Sequence, residues 1–274
     1  HWAAGAGIVV ALGLSGYLMS CAGGEARNRD KPPRLMVLSE QLPPLPQPPP
    51  VVAMSARPAK VDPADRLVVD VLNRGCSTVV VKALSEQIIA EGNCIQPGSY
   101  TRVPRAKNVA MGKAVFPYMR KPARDALVKA VKRGKRYNMT INSMLRTVAQ
   151  QYLLFDWYQR GRCGIKLAAE PGTSNHQGGL AIDIREPGTW RKILTKQGFR
   201  WLGKKDRWHF DYLGRTAPIT KGLDILAFQQ LWNRNHPADT IAEDGHWSEE
   251  TEAALRRAPV AGFELGPECE AEAE

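Results

Sequence analysis

The sequence lacks the signatures that would link its basic charge to nucleic acid. It contains no zinc-finger cysteine spacing, no Gly-rich phosphate loop and no aromatic RNA-binding pattern. Its 274 residues nevertheless carry a formal net charge of +11, which favours an anionic neighbour such as a membrane surface or an acidic cell-wall polymer. We therefore expect no nucleic-acid partner.

Charged residues are also absent from an apolar run over residues 3–20, which ends at Cys21. The letters LMSC at the end of this run resemble the lipobox of bacterial lipoproteins, in which the cysteine becomes lipidated. A transmembrane anchor is the alternative, although the run is short and Gly-rich for a spanning helix. We predict a lipoprotein-type signal segment at residues 1–21 and an exported, periplasmic protein anchored to a bacterial membrane. Nothing in the sequence indicates the oligomeric state.

Residues 22–66 lack the hydrophobic periodicity of a folded domain. The letters LPPLPQPPP lie at residues 42–50, and proline at this density favours extended polyproline II. We predict a disordered linker there. Globular sequence begins at about Leu67, where RLVVDVLNRG and STVVVKALSEQIIAEGNC predict a strand followed by a helix.

Cysteine is scarce, with five residues in the chain. Outside the cytoplasm, the four that remain after Cys21 are disulfide candidates. Cys76 and Cys94 bracket one short stretch, so we expect them to pair and to leave Cys163 with Cys269. The sequence alone does not fix this connectivity.

Two of the five histidines lie between residues 174 and 212. His176 precedes Asp183, which stands between two isoleucines in a segment that reads as a buried strand. An ionised carboxylate there costs several kcal/mol unless a cation or hydrogen-bond donors meet it. Gly178 and Gly179 allow a bend that brings the imidazole back to the carboxylate's side.

The second histidine, His209, lies in the letters WHFDY, where aromatic residues alternate with His209 and Asp211 as in a half-buried strand. With His176 and Asp183 it makes a set of three ligands that leaves a zinc ion one open position, as in catalytic zinc sites. Asp206, in the polar turn before His209, can take a proton from water there.

Asp211 is the second candidate for this base, and we rank it below Asp206. Two less specific interpretations compete with the metal site. The histidines and aspartates could form a hydrogen-bonded pair in the core. Alternatively, Cys163 and His176 could form a papain-like pair, which would leave Asp183 and Asp206 unexplained.

The combined pattern resembles a known family signature. Ser-x-His-x-x-Gly-x-Ala-x-Asp followed by Asp-x-x-His is similar to the motif of the zinc D-alanyl-D-alanine carboxypeptidases, which include vancomycin-resistance dipeptidases and phage L-alanyl-D-glutamate endopeptidases. Its positions are filled by Ser174, His176, Gly179, Ala181, Asp183, Asp206 and His209. Many members have Glu where this chain has Asp206, which leaves open which bond is cleaved.

The resemblance implies an α+β catalytic domain at residues 67–215, with an antiparallel sheet that carries one zinc ion, and hydrolysis of peptidoglycan stem peptides. A second family segment, S-x-x-R-[ST]-x-x-x-Q, is matched by Ser143, Arg146, Thr147 and Gln151. By resemblance, Arg146 stabilises the negative charge that develops on the scissile carbonyl. Ser174 and Gln151 are expected to form hydrogen bonds with the substrate.

Residues 222–263 predict two short helices around the turn Asp244-Gly245. They resemble a three-helix peptidoglycan-binding repeat, although a third helix is not evident. Residues 264–274 form an acidic tail. The alternative to a peptidase is a non-catalytic cell-wall-binding protein whose zinc site is structural or silent.

Overall fold

The computed structural model of the protein describes residues 66–269. The predicted signal segment, nearly all of the Pro-rich linker and the end of the acidic tail lie outside the described residues. No helix within 66–269 is long and apolar enough to cross a membrane.

Seven helices and seven strands follow one another in this part of the chain. The helices are α1 (Val68–Val71), α2 (Lys82–Ile95), α3 (Lys121–Arg133), α4 (Val148–Gln159), α5 (Pro187–Thr195), α6 (Leu223–Asn235) and α7 (Glu249–Arg257). The strands are β1 (Thr101–Arg102), β2 (Val109–Met111), β3 (Tyr118–Met119), β4 (Met139–Ser143), β5 (Ala181–Ile184), β6 (Phe199–Trp201) and β7 (His209–Tyr212).

The main sheet has five strands in the order β2-β4-β5-β7-β6, so β5 is central. All its pairs are antiparallel except β2 with β4. The predicted α+β class is therefore confirmed, but the sheet is mixed rather than purely antiparallel. The parallel pair arises because β3 and α3 lie between β2 and β4 and form the crossover that parallel neighbours require.

Helices α3 and α5 cover one face of this sheet. The apolar side of α3, which includes Ala126, Leu127, Ala130 and Val131, packs there with Trp190 of α5. From the strands, Ile182, Ile184 and Phe210 point into the same core. Because side chains alternate along a strand, the residues between them face the opposite side of the sheet. That opposite side carries the predicted metal ligands.

The other helices share a second hydrophobic core. It contains Leu84 and Ile88 of α2, Trp157 of α4, and Phe228 and Trp232 of α6. Helix α6 packs mainly against α2, and α7 packs against α1. Helices from both sides of the predicted domain boundary at residues 215–222 therefore contribute to one core, and that boundary stays a prediction.

The residues that resemble a peptidoglycan-binding repeat brace the connection between α6 and α7. The buried side chain of Gln229 accepts hydrogen bonds from the backbone N–H groups of Asp244 and Gly245, at 3.1 and 2.9 Å. Its amide nitrogen donates to Thr251 Oγ1 at 3.1 Å. The two predicted helices are present, and no third helix follows α7 as far as residue 269.

The N-terminal element differs from its prediction. RLVVDVLNRG predicted a strand, but Val68–Val71 form the short helix α1. Val68, Val71 and Leu72 recur at helical spacing and are all buried in the second core. Asp70 Oδ2 accepts the N–H of Leu67 at 2.9 Å, which caps the first turn.

The disulfides join Cys76 to Cys163 and Cys94 to Cys269. All four candidates are paired, but the expected pairing of Cys76 with Cys94 is wrong. The 3-10 helix Thr78–Val81 leads directly into α2, and α2 rises about 18 Å between its start and Cys94. A disulfide requires Cα atoms within about 7 Å of each other. The length of α2 therefore separates Cys94 from Cys76, although the two are close in sequence.

We predict that replacing Cys94 and Cys269 together by serine lowers the free energy of unfolding by about 2–4 kcal/mol, because the bond closes a very long loop. Chemical denaturation of the oxidised protein measures this loss. Peptide mapping without reduction is the control and should recover linked fragments of Cys94 with Cys269. Recovery of Cys76 linked to Cys94 would contradict the connectivity.

Candidate metal centre

The structure brings together three predicted ligands: His176, Asp183 and His209. We call these residues the ligand triad. Asp183 lies on the central strand β5 and His209 directly opposite it on β7. His176 lies in the segment between α4 and β5, residues 160–180, which contains no helix or strand and which we call the metal loop. One ligand atom from each side chain lies within 4.8 Å of the others.

Gly179 provides the predicted bend in the metal loop. Its φ of 64° lies in the left-handed region, which glycine adopts readily. A Cβ atom at this position would also lie 3.1 Å from the backbone nitrogen of Arg120. The backbone conformation therefore favours glycine, and the close approach of Arg120 leaves little room for a side chain.

The hydrogen bonds around the triad fix how each imidazole is turned. The carbonyl oxygen of Met144 can only accept, so His176 Nδ1, at 2.7 Å, carries a proton and Nε2 presents a lone pair. Likewise, His209 Nε2 lies 2.8 Å from Asp211 Oδ1 and donates to it. His176 Nε2 and His209 Nδ1 then face each other at 3.2 Å, beside Asp183.

This arrangement fits a cation. With both outer nitrogens protonated, the two inner nitrogens of the neutral imidazoles turn lone pairs towards one another and towards the Asp183 carboxylate, 3.0 Å from His209 Nδ1. A second proton on His209 or a metal ion must lie between them. Two imidazoles and one carboxylate are typical ligands of zinc, and partners on the outer nitrogens are typical of zinc-bound histidines.

The pKa values of Asp183, His176 and His209 are all shifted by their burial and by one another's charges. Burial acts to raise the pKa of Asp183, but His176, His209 and Arg146 act more strongly and hold it well below its usual value. Burial also acts to lower the pKa of His209, yet Asp183 and Asp211 outweigh it and raise that pKa. For His176, burial and the charge of Arg146 lower the pKa. The pKa values of the two imidazoles are therefore shifted in opposite directions.

Arg146 is held against the triad from three sides. Its guanidinium donates to Asp183 Oδ2 at 2.7 Å, to Ser143 Oγ at 2.8 Å and to Gln151 Oε1 at 3.3 Å. Three of its five N–H groups are used in this way, and one on each terminal nitrogen is left. The side chain as a whole is 19% exposed. Arg146 lies between strand β4, which ends at Ser143, and helix α4, which begins at Val148.

The remaining predicted site residues lie around the triad without joining it. Asp206 lies in the turn before β7, where its Oδ1 accepts the N–H of Trp208 at 3.4 Å. Burial lowers the pKa of Arg146, and the negative charge of Asp206 opposes part of that decrease. Ser174 Oγ accepts the N–H of His176 at 3.3 Å. Gln151 is fully buried, and its amide nitrogen donates to the carbonyl of Ala169 at 2.7 Å. Substrate contacts for Ser174 and Gln151 stay predictions.

Asp211 has a role that the ranking of candidate bases missed. It lies two residues after His209 on the same face of β7, and its buried carboxylate orients that imidazole. Asn175 and Arg200 hold the carboxylate in turn, at 2.9 and 3.3 Å. The alternation of WHFDY already placed His209 and Asp211 on one face, so the signal was present in the sequence.

Cys163 cannot act as a papain-like nucleophile, because its sulfur is bonded to Cys76. A thiolate is required for that chemistry. The structure therefore removes this alternative.

One segment of the chain matches a known protein family. Residues 117–215 match the sequence model of the family VanY, D-alanyl-D-alanine carboxypeptidase. The predicted resemblance is confirmed for this segment, which contains the whole ligand triad.

One solved structure and the curated proteins complete the comparison. A structure described as "Structure of the LdcB LD-carboxypeptidase reveals the molecular basis of peptidoglycan recognition" is 26% identical, covers 48% of this chain and 73% of that chain, and has a TM-score of 0.34. No curated protein matches the chain.

We predict that Asp211→Ala weakens zinc binding by about ten- to a hundredfold, because His209 loses the partner that orients it. Competition with a chromogenic chelator measures the dissociation constant. Asp211→Asn keeps an oxygen acceptor and should recover part of the affinity, and the exposed Asp239→Asn is the matched control. Equal affinity in wild type and Asp211→Ala would exclude this role.

Proposed function

We propose that this protein is a zinc-dependent peptidase that hydrolyses the peptide stems of peptidoglycan, as a D-alanyl-D-alanine carboxypeptidase or a related endopeptidase. One observation carries the proposal: the ligand triad is gathered within the segment that matches the VanY family. The donor set fits zinc, and one ion is expected.

Zinc bound by the triad would supply a Lewis acid that lowers the pKa of water towards about 7 and polarises a carbonyl group. The protein's own residues supply the rest. Asp206 accepts a proton from the attacking water, whose oxygen bonds to the carbonyl carbon of the scissile peptide. The C–N bond then breaks, and Asp206 returns the proton to the leaving amine.

Arg146 is the residue we assign to the carbonyl oxygen. Burial lowers the pKa of its guanidinium, while the charges of Asp183 and Asp206 oppose that decrease, and a guanidinium remains charged at neutral pH. Its bonds to Ser143 and Gln151 hold the group in place before substrate arrives. Fixed donors of this kind stabilise charge that develops on an oxyanion.

We also propose that the protein acts outside the cytoplasm, anchored through Cys21, with helices α6 and α7 contributing affinity for the wall. Two disulfides support an oxidising compartment. A net basic charge supports attraction to an anionic envelope.

The proposal is tested with purified peptidoglycan fragments. Loss of one terminal alanine from stems that end in D-Ala-D-Ala identifies a carboxypeptidase, and a cut inside the stem identifies an endopeptidase, both read by mass spectrometry. The activity should disappear on chelation and return with zinc. Retained zinc without turnover on any fragment would instead indicate a wall-binding protein with a silent site.

We predict that Asp206→Ala retains zinc but lowers the rate of hydrolysis by about 10²- to 10⁴-fold, the usual contribution of a positioned base. Zinc content and turnover are measured on the same preparation. Asp239→Asn, which also removes one surface carboxylate, should hydrolyse at the wild-type rate. Normal turnover by Asp206→Ala would assign the base to another residue.

A further inference from the structure

A buried carboxylate from outside the VanY-like segment lies beneath the metal loop. Asp224 is in the first turn of helix α6 and is 2% exposed. Its Oδ2 accepts a hydrogen bond from Gln177 Nε2 at 2.8 Å. Gln177 directly follows the ligand His176 and is itself 4% exposed, so neither group can exchange this bond for water without opening the structure.

Gln177 connects three parts of the chain. While its amide nitrogen donates to Asp224, its Oε1 accepts the backbone N–H of Gly172 at 2.8 Å, across the turn of the metal loop. Its backbone carbonyl accepts the hydroxyl of Tyr100 at 3.4 Å. The residue beside the ligand is therefore held from below by side chains that the metal loop does not provide.

Asp224 also lies at the start of helix α6, where the helix dipole favours a negative charge. Burial raises its pKa to about 7, and the hydrogen bond from Gln177 acts in the opposite direction.

The metal loop needs such support. It runs for 21 residues, from 160 to 180, without helix or strand, and a segment of that length takes its shape from contacts with its surroundings. The Cys76–Cys163 disulfide and the bond from Gln151 to the carbonyl of Ala169 hold its first half. Near the triad, Asn175 donates to Asp211. On the buried side, Gln177 forms the side-chain hydrogen bond to Asp224 of α6.

We infer that Asp224 is a positioning residue for the metal loop, so that helix α6 is part of the catalytic unit and not a separable wall-binding module. It acts through Gln177 on the neighbouring His176. The predicted catalytic boundary at residue 215 excludes it. The inference rests on the proposed function only where zinc affinity is used as a measurement.

The first test uses metal-free, full-length protein. Asp224→Ala should increase hydrogen exchange in peptides that cover residues 171–180 by about tenfold, the equivalent of one lost buried hydrogen bond. Peptides from α3 and α5 should exchange as in wild type. Asp224→Asn, which keeps an oxygen acceptor for Gln177, should restore the protection, and Asp239→Asn is the control in the same part of the chain.

The second readout is zinc affinity by chelator competition, which Asp224→Ala should weaken by about tenfold and Asp224→Asn much less. Gln177→Met removes the same bond from the loop side and serves if Asp224→Ala does not fold. Unchanged exchange and unchanged zinc affinity in a folded variant would overturn the inference. A different result would separate the two proposals. If Asp224→Ala exchanges faster, and the wild-type protein binds zinc but hydrolyses no fragment, the positioning role stands and the peptidase function is refuted.

Discussion

The carboxylate of Asp183 is the constraint around which this structure is arranged. It lies on the central strand of a five-stranded sheet, with its side chain 16% exposed, where an unpaired negative charge would cost several kcal/mol. Arg146, His176 and His209 all approach it within 3.3 Å. These come from the start of α4, from the metal loop and from the neighbouring strand, so neutralising one charge brings three separate segments together.

The sheet separates this polar cluster from the core. Ile182, Ile184 and Phe210 alternate with the ligands and face α3 and α5, which supply apolar contacts and exclude water. A one-residue shift in the pairing of β5 with β7 would exchange these two faces. The same alternation that builds the core therefore fixes the register of the ligands, and the stability of the fold and the geometry of the site depend on one pairing.

The clustering of the three ligands could be predicted from the sequence, because they lie within one stretch of the chain and two of them are histidines, which are rare in this protein. His176, Asp183 and His209 are gathered as predicted, and helix α4 begins just after Arg146. Asp224 was not readable, since it meets Gln177 from 47 residues away in sequence and no local pattern signals a contact of that kind.

The rest of the fold shows where such reasoning fails. The segment around Val68 has the β-branched residues of a strand, yet packing against the helical core makes it a helix, because tertiary contacts override weak local preferences. Disulfide connectivity depends on which distant segments meet, and the parallel pairing of β2 with β4 depends on the path of a crossover. The spacing of residues along the chain predicts neither the disulfide connectivity nor the parallel pairing.

The Cys94–Cys269 bond has a consequence for how the folded chain responds to proteolysis. Its closed ring contains α3, α4, the whole sheet from β2 to β6, the metal loop and helix α6. A single backbone cut anywhere within that ring leaves two fragments that are still covalently linked. The halves of a nicked molecule therefore migrate together on a denaturing gel until a reductant separates them.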